Sequence, residues 1–247
     1  MMKVDSTEAW LRGLQHNGFT IVPGVFPRTD ADALARELEE ALAEPSAATA
    51  IRSRSDTVYA ARNVLELFPK AAYVWRRPPL PELLERVLGP QYGLVRGLYF
   101  DKPPEQTWAL PWHKDMTIAV RDHRQPLGSF QKPTRKAGVP HVEAPRELLD
   151  AMLTMRIHLD DVTEMNGPMR VIPGSHRTGK TMTIDETQRR SILVRKRDVL
   201  LIRPLVAHAS AASHPDNTEH RRILHLEFAG WSELPDGYAW HTFIAGN

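Results

Sequence analysis

Residues 112–115 read Trp-His-Lys-Asp, and His208 lies far downstream of them. Side chains alternate along a strand, so His113 and Asp115 would share one face while Trp112 and Lys114 share the other. An imidazole and a carboxylate side by side are two-thirds of a metal site. A second imidazole from a distant strand completes a two-His, one-carboxylate facial triad, whose open positions suit Fe(II) and oxygen chemistry. Spacing alone does not select this pair, because it recurs at His141/Glu143, His158/Asp160 and His225/Glu227. His141 and Glu143 fall in an irregular stretch, where strand alternation does not apply. His225 and Glu227 lie on a credible strand but share a face with Arg221, and a buried cation opposes metal binding. His158/Asp160 is the serious rival, on a strand face with Arg156.

The chain has 247 residues, of which 42% are hydrophobic. That suffices for one sizeable core, and a single domain over 1–247 is expected. Its 32 Lys and Arg nearly balance 30 Asp and Glu. No long basic block is interleaved with aromatics, so a nucleic-acid partner is not expected. There is no cysteine. Thiolate zinc sites, Fe–S clusters and cysteine nucleophiles are therefore excluded, and histidines and carboxylates must supply any metal ligands. No charged leader with an apolar run opens the sequence, and no apolar stretch approaches the roughly 18 residues that a membrane span needs. A cytoplasmic location without a membrane partner is the expectation.

The elements that must position the histidines read as follows. Residues 6–17 form an amphipathic helix stopped at Gly18, and 18–23 form a strand ending in a Pro-Gly turn. Thr29 is placed to N-cap a helix whose Leu34, Leu38 and Leu42 make one apolar stripe. Residues 46–55 read as a loop, and 58–67 as a strand or short helix. Arg62-Asn63 interrupts that segment, either as an exposed pair or with Arg62 lining a pocket. A helix over 81–88 and a strand over 94–100 follow. Residues 121–146 are Pro- and Gly-rich and irregular, which suggests a lid over a site. They carry Arg121, Arg124, Lys132, Arg135, Lys136 and Arg146, a positive excess that suits an anionic substrate or a solvated surface equally. In 153–159, Leu153, Met155, Ile157 and Leu159 share one strand face; Thr154, Arg156 and His158 share the other. The last clear strand, 221–229, separates Arg222, Leu224, Leu226 and Phe228 from Arg221, Ile223, His225 and Glu227. Many short strands after N-terminal helices predict a mainly β fold. Its core is a jelly roll (double-stranded β-helix) over 94–230, preceded by a 1–93 scaffold of helices and first strands whose helices pack on one sheet.

The motifs of the core resemble those of the phytanoyl-CoA dioxygenase family of Fe(II)/2-oxoglutarate oxygenases. The matching segments are Asp101-Lys-Pro-Pro104, Pro111-Trp-His-Lys-Asp115, Leu159-Asp-Asp-Val-Thr-Glu-Met-Asn-Gly-Pro168, Val171-Ile-Pro-Gly-Ser-His176, Asp198-Val-Leu-Leu201 with His208-Ala-Ser210, and Arg221-Arg-Ile-Leu-His-Leu-Glu-Phe228. They are collinear over more than half the chain. The resemblance implies that His113, Asp115 and His208 hold the metal, with Asp160 and His176 in scaffold positions. It implies that Arg221 binds the distal carboxylate of 2-oxoglutarate. A guanidinium fork suits that task, since it grips a carboxylate bidentately and stays charged when buried. Ser210, two residues after His208, would share its face and serve as a second donor. Leu98 and Arg156 fall where the family lines the cosubstrate pocket. Arg156 departs from the bulky apolar residue expected there, which makes it a candidate to meet the substrate instead. Ile118 departs from an aromatic, and Lys114 from a frequent Gln. Relatives that halogenate lack the carboxylate, so Asp115 points to oxygenation.

The resemblance therefore implies an enzyme that takes Fe(II), 2-oxoglutarate and O2, and that hydroxylates a C–H bond of a small molecule with release of succinate and CO2. Arg62, Arg121, His141 and His158 are the candidate substrate contacts, with Arg121 and His141 on the lid. Desaturation, cyclisation or epimerisation at the same site are alternatives that depend on substrate placement. A non-catalytic jelly-roll binding module is the rival from another class. It would be expected to have lost the triad or the carboxylate anchor, and all four groups are present.

Overall fold

The computed structural model describes residues 4–54, 57–104 and 107–246. The helices are α1 (Val4–His16), α2 (Arg28–Ala43), α3 (Val64–Leu67), α4 (Leu80–Leu88) and α5 (Arg146–Asp150). The strands are β1 (Phe19–Val22), β2 (Ile51–Arg54), β3 (Thr57–Ala61), β4 (Gly93–Phe100), β5 (Leu110–His113), β6 (Thr117–Ala119), β7 (Gln131–Lys136), β8 (Val139–Glu143), β9 (Met152–His158), β10 (Met169–Val171), β11 (Arg190–Ile192), β12 (Val199–Ile202), β13 (His208–Ser210), β14 (Ile223–Ala229) and β15 (Ile244–Ala245).

Eight strands form the main antiparallel sheet, ordered β1-β12-β9-β14-β4-β3-β2 with β15 also on β4. A four-stranded sheet, β11-β10-β13-β5, and a three-stranded sheet, β6-β8-β7, complete the architecture. This is the expected jelly roll with helices on one sheet. Period-two alternation in β9 and β14 explains why. Leu153, Met155 and Ile157 of β9 and Leu224, Leu226 and Phe228 of β14 join Leu34, Leu38 and Leu42 of α2 and Leu80, Leu83 and Leu84 of α4 in one buried cluster. Each fully buried Leu or Phe there contributes about 1.5–3 kcal/mol. Trp75 closes that layer, meeting Phe228 edge-on at 5.1 Å between ring centres. Arg222 ends the same face of β14. It grips Asp160 through Nε (2.8 Å) and Nη2 (2.7 Å) and reaches Glu39 of α2 at 2.6 Å, which ties the helix to the sheet.

Several local readings need correction. Thr29 does not cap α2; Pro27 holds the N-cap position and no side chain caps the helix. Residues 46–55 are not all loop, since Ile51–Arg54 is β2, hydrogen-bonded to β3. The segment 58–67 holds both alternatives, the end of β3 and then α3. They are joined at Asn63, whose φ of 54° breaks the strand. The main sheet draws β1, β2 and β3 from the 1–93 scaffold and takes β15 from beyond 230.

The largest revision concerns 121–146, which is not irregular throughout. It contains the hairpin β7–β8, closed by Ala137 and Gly138 at φ 49° and 79°. Two consecutive positive φ values make the tight turn that suits hairpin twist. An Ala in the first position hid that turn from the sequence. Phe130, Val142 and Ala144 bury the hairpin against Ile118 and Val120.

Phe228→Ala is expected to destabilise the fold by about 3–5 kcal/mol, the cost of a large cavity in a packed layer. Urea denaturation checks this, and a loss below 1 kcal/mol would show that the layer tolerates the gap.

Candidate active site

His113 ends β5 and His208 begins β13, and the two are direct partners across the antiparallel pair. Their rings lie 4.1 Å apart between centres. Each ring is oriented by its own backbone. His113 Nδ1 lies 2.8 Å from the Pro111 carbonyl, and His208 Nδ1 lies 2.9 Å from that of Val206. A carbonyl only accepts, so Nδ1 carries the proton and the Nε2 lone pair is left free in both rings.

Asp115 does not share a strand face with His113, because β5 stops at His113. The chain instead turns out of the strand, with the Asp115 amide donating to the Pro204 carbonyl at 3.0 Å. The carboxylate still arrives between the two rings, with Oδ1 3.9 Å from His113 Nε2 and Oδ2 3.6 Å from His208 Nε2. Lys114 points away, as read. Its buried ammonium donates to the carbonyls of Ser175 and Gly179 at 2.9 and 2.7 Å and to Thr178 Oγ1 at 2.9 Å. That anchorage fixes the bend from which Asp115 projects.

The electrostatics suit a cation. Burial pushes His208 down to about 4, against the pull of Asp115, so the ring is neutral at neutral pH. Burial raises the Asp115 carboxyl, but His208, His225, His113 and Arg156 outweigh it and hold it below the ordinary range. One donor atom from each of His113, Asp115 and His208 fits within 4.8 Å of the others. Two imidazoles and a carboxylate form the ligand set expected of a non-haem Fe(II) centre.

The triad faces a cavity of about 350 Å³ between the main and four-stranded sheets. Leu98, Arg156, Ser210 and Arg221 all line it. Arg221 is 2% exposed and Arg156 8%. Neither guanidinium makes a side-chain hydrogen bond or ion pair among the described residues, and the Nε of each is buried without a partner. Burial lowers Arg221 to about 9, with Arg156 adding to the shift, and lowers Arg156 to about 10 against the pull of Asp115. A buried, unpaired cation is costly. Two of them line the same cavity as the triad and give its wall a positive charge that suits an anionic ligand.

Lys102, in the Asp101-Lys-Pro-Pro104 motif, was not singled out by side-chain chemistry. Its amine is fully buried and contacts Ser210 Oγ (3.2 Å) and the carbonyls of Gly167 (3.3 Å) and Ala211. It thereby braces the strand end that presents Ser210 to the cavity.

The substrate candidates separate. Arg62 lines the cavity. His141 does not; it is buried on β8 beside a separate crevice, with Nδ1 3.0 Å from the Val139 carbonyl. Arg121 is exposed and its backbone amide bonds to Ala239. His158 is buried beside Arg156 and Arg221, and burial holds it well below the usual imidazole range. None of these three lines the cavity. His225 and Glu227, rejected as ligands, line it beside the triad as a bonded pair, Nε2 to Oε1 at 3.3 Å. His214 and Asp216 repeat the same spacing on an exposed turn. Arg96 and Lys136 also line the cavity and had no role assigned. Alternation on β4 places Arg96 on one face with Leu98 and Phe100, a cation on an inward face. That was the available signal.

Jelly-roll topology with this donor set defines a class, and the comparisons place the chain within it. Residues 14–223 match the phytanoyl-CoA dioxygenase (PhyH) family, and the chain belongs to that family. It is 28% identical over 163 residues to the L-proline trans-4-hydroxylase of Streptomyces griseoviridis, a match covering 66% of this chain and 53% of that protein. The chain thus spans about half the length of that relative. Its fold is that of EctD from S. alaskensis with bound Fe, at 17% identity and a TM-score of 0.67 over 92% of this chain and 76% of that one. It is also that of the non-haem α-ketoglutarate-dependent epimerase SnoN from nogalamycin biosynthesis, at 17% identity and a TM-score of 0.63 over 92% and 84%.

Burial lowers Lys102 to about 6 from its ordinary 10.5, with Arg221, Arg156 and Arg170 adding to the shift. Between those values the unfolded chain binds the extra proton, so stability rises with pH across the window. Lys102→Met should flatten that rise between pH 6 and 10, measured by urea midpoints. An unchanged slope would show that the amine stays charged in the fold.

Proposed function

We propose that the chain is a non-haem Fe(II)- and 2-oxoglutarate-dependent dioxygenase that hydroxylates an unactivated C–H bond of a small molecule. The observation that carries this reading is the shared cavity. Two lone-pair Nε2 atoms and a carboxylate converge on one side of it, and the unpaired buried guanidinium of Arg221 lies in its wall. His113, Asp115 and His208 would hold the iron. Arg221, helped by Ser210 and Arg156, would hold the cosubstrate carboxylates. Bound Fe(II) with 2-oxoglutarate supplies oxygen activation coupled to decarboxylation, so that O2 places one oxygen in succinate and one in the product.

The protein's own contribution is placement and exclusion of water. The carbonyls of Pro111 and Val206 hold the imidazoles in one tautomer. Lys114 holds the bend that aims Asp115. Leu98, Ile118 and Met169 give the cavity an apolar lining in which the C–H bond can sit against the metal face. The relative's name, a proline hydroxylase, supports hydroxylation as the outcome. A binding module that had lost its chemistry would have no use for two unpaired buried guanidiniums facing an intact ligand set.

Succinate release from 2-oxoglutarate, dependent on added Fe(II), tests the reading. Asp115→Ala should abolish it. Arg221→Gln should raise the KM for 2-oxoglutarate roughly 10- to 100-fold, the worth of a charged hydrogen bond of about 1.5–3 kcal/mol. Succinate release that ignores both substitutions would refute it.

A further inference from the structure

Beyond the socket around Arg221, the cavity has a second charged end. Arg221 precedes β14, and His225 and Glu227 follow on the same inward face, opposite Leu98 and Arg96 of β4. Two residues along a strand advance about 7 Å. The Glu227 row is therefore one step further than His225 from the cosubstrate arginine. Glu227 and Arg96 neutralise each other there at 3.2 Å, both almost wholly buried.

Two more cations close on that pair without an acid of their own. Arg62 follows β3 and makes no side-chain hydrogen bond or ion pair among the described residues, although it is only partly exposed. Lys136 ends β7, and among the described residues its ammonium donates only to Thr117 Oγ1, at 2.9 Å. Their placement is built in. Asn63, held left-handed at φ 54°, donates from Nδ2 to the Ala137 carbonyl at 3.3 Å, which clamps the hairpin turn to the bend carrying Arg62.

We propose that the substrate carries a carboxylate-sized anionic group, and that Arg62 and Lys136 form its seat with the Arg96–Glu227 pair as the floor. This rests on the reading of the site as an oxygenase. Crowding of the cations supports it: burial, then Arg96 and Arg62, lower Lys136 to about 8, and burial, then Arg96 and Arg52, lower Arg62 to about 10. Like charges held together in a half-buried wall cost stability, and an incoming anion relieves that cost. An anion seated there directs the rest of the molecule past His225 toward the triad. The seat thus fixes which C–H bond is presented.

Saturation-transfer NMR tests the seat, on protein loaded with Zn(II) in place of iron and with saturating 2-oxoglutarate, so that the Arg221 socket is filled. The probes are carboxylic acids of three to nine carbons, each paired with its primary amide. Acids should bind with affinities at least tenfold above their amides. Arg62→Gln and Lys136→Gln should erase that preference, and Lys136→Arg should keep it. Amides that bind as well as acids, acids that bind the Gln variants unchanged, or no acid binding at all would overturn the proposal. The KM for 2-oxoglutarate in uncoupled succinate release should stay within twofold in both Gln variants. A larger rise would place the cosubstrate at this end and overturn it too. Absent succinate release in the wild type would instead sink the oxygenase reading, whatever the acids do.

Discussion

The antiparallel register that sets His113 of β5 opposite His208 of β13 is the constraint on which the site depends. Backbone hydrogen bonds fix it. Two carbonyls then fix each ring's tautomer, so both free lone pairs face one point. Shifting a strand by one residue would turn one imidazole to the other face of its sheet. Asp115 joins them from outside the strand, on a bend anchored by the buried ammonium of Lys114. The three candidate ligands therefore rest on main-chain geometry, with the buried Lys114 ammonium donating to neutral oxygens.

The main sheet divides its labour by face. Its outer face is apolar and packs under α1, α2 and α4; its inner face carries Arg156, His225, Glu227 and Arg96 into the cavity. Polar residues on a buried face are expensive unless paired or matched by a ligand. Where they pair, as in Arg96–Glu227, they form a fixed floor. Where they do not, as at Arg221 and Arg156, they leave buried cations that a bound anion would complete.

Strand alternation makes much of this legible in the sequence. It separated the two faces of β9 and β14 correctly and set Arg221 on the inward side, Arg222 on the outward one. It reached the right neighbours for His113 and Asp115 by a wrong route, since Asp115 is not in a strand. It was silent on 121–146, because Lys136-Ala-Gly-Val139 lacks the Asn or Asp that usually marks a tight hairpin turn. Without a strand there, no face could be assigned, so Lys136 counted only toward a positive excess open to either reading, and His141 read as a lid contact. His141 is buried on β8 and does not line the cavity, whereas Lys136 does. The missed residues share one physical cause: each depends on pairing between segments distant in sequence, which local periodicity does not encode.

The central claim is that one point in the cavity binds Fe(II) through His113, Asp115 and His208 while 2-oxoglutarate chelates beside it. Anaerobic addition of Fe(II) and then 2-oxoglutarate, followed by visible absorption, tests it most directly. The wild type should develop the weak metal-to-ligand charge-transfer band of the chelate, and His208→Ala should not. A band of equal strength in His208→Ala, or none in the wild type, would contradict the account.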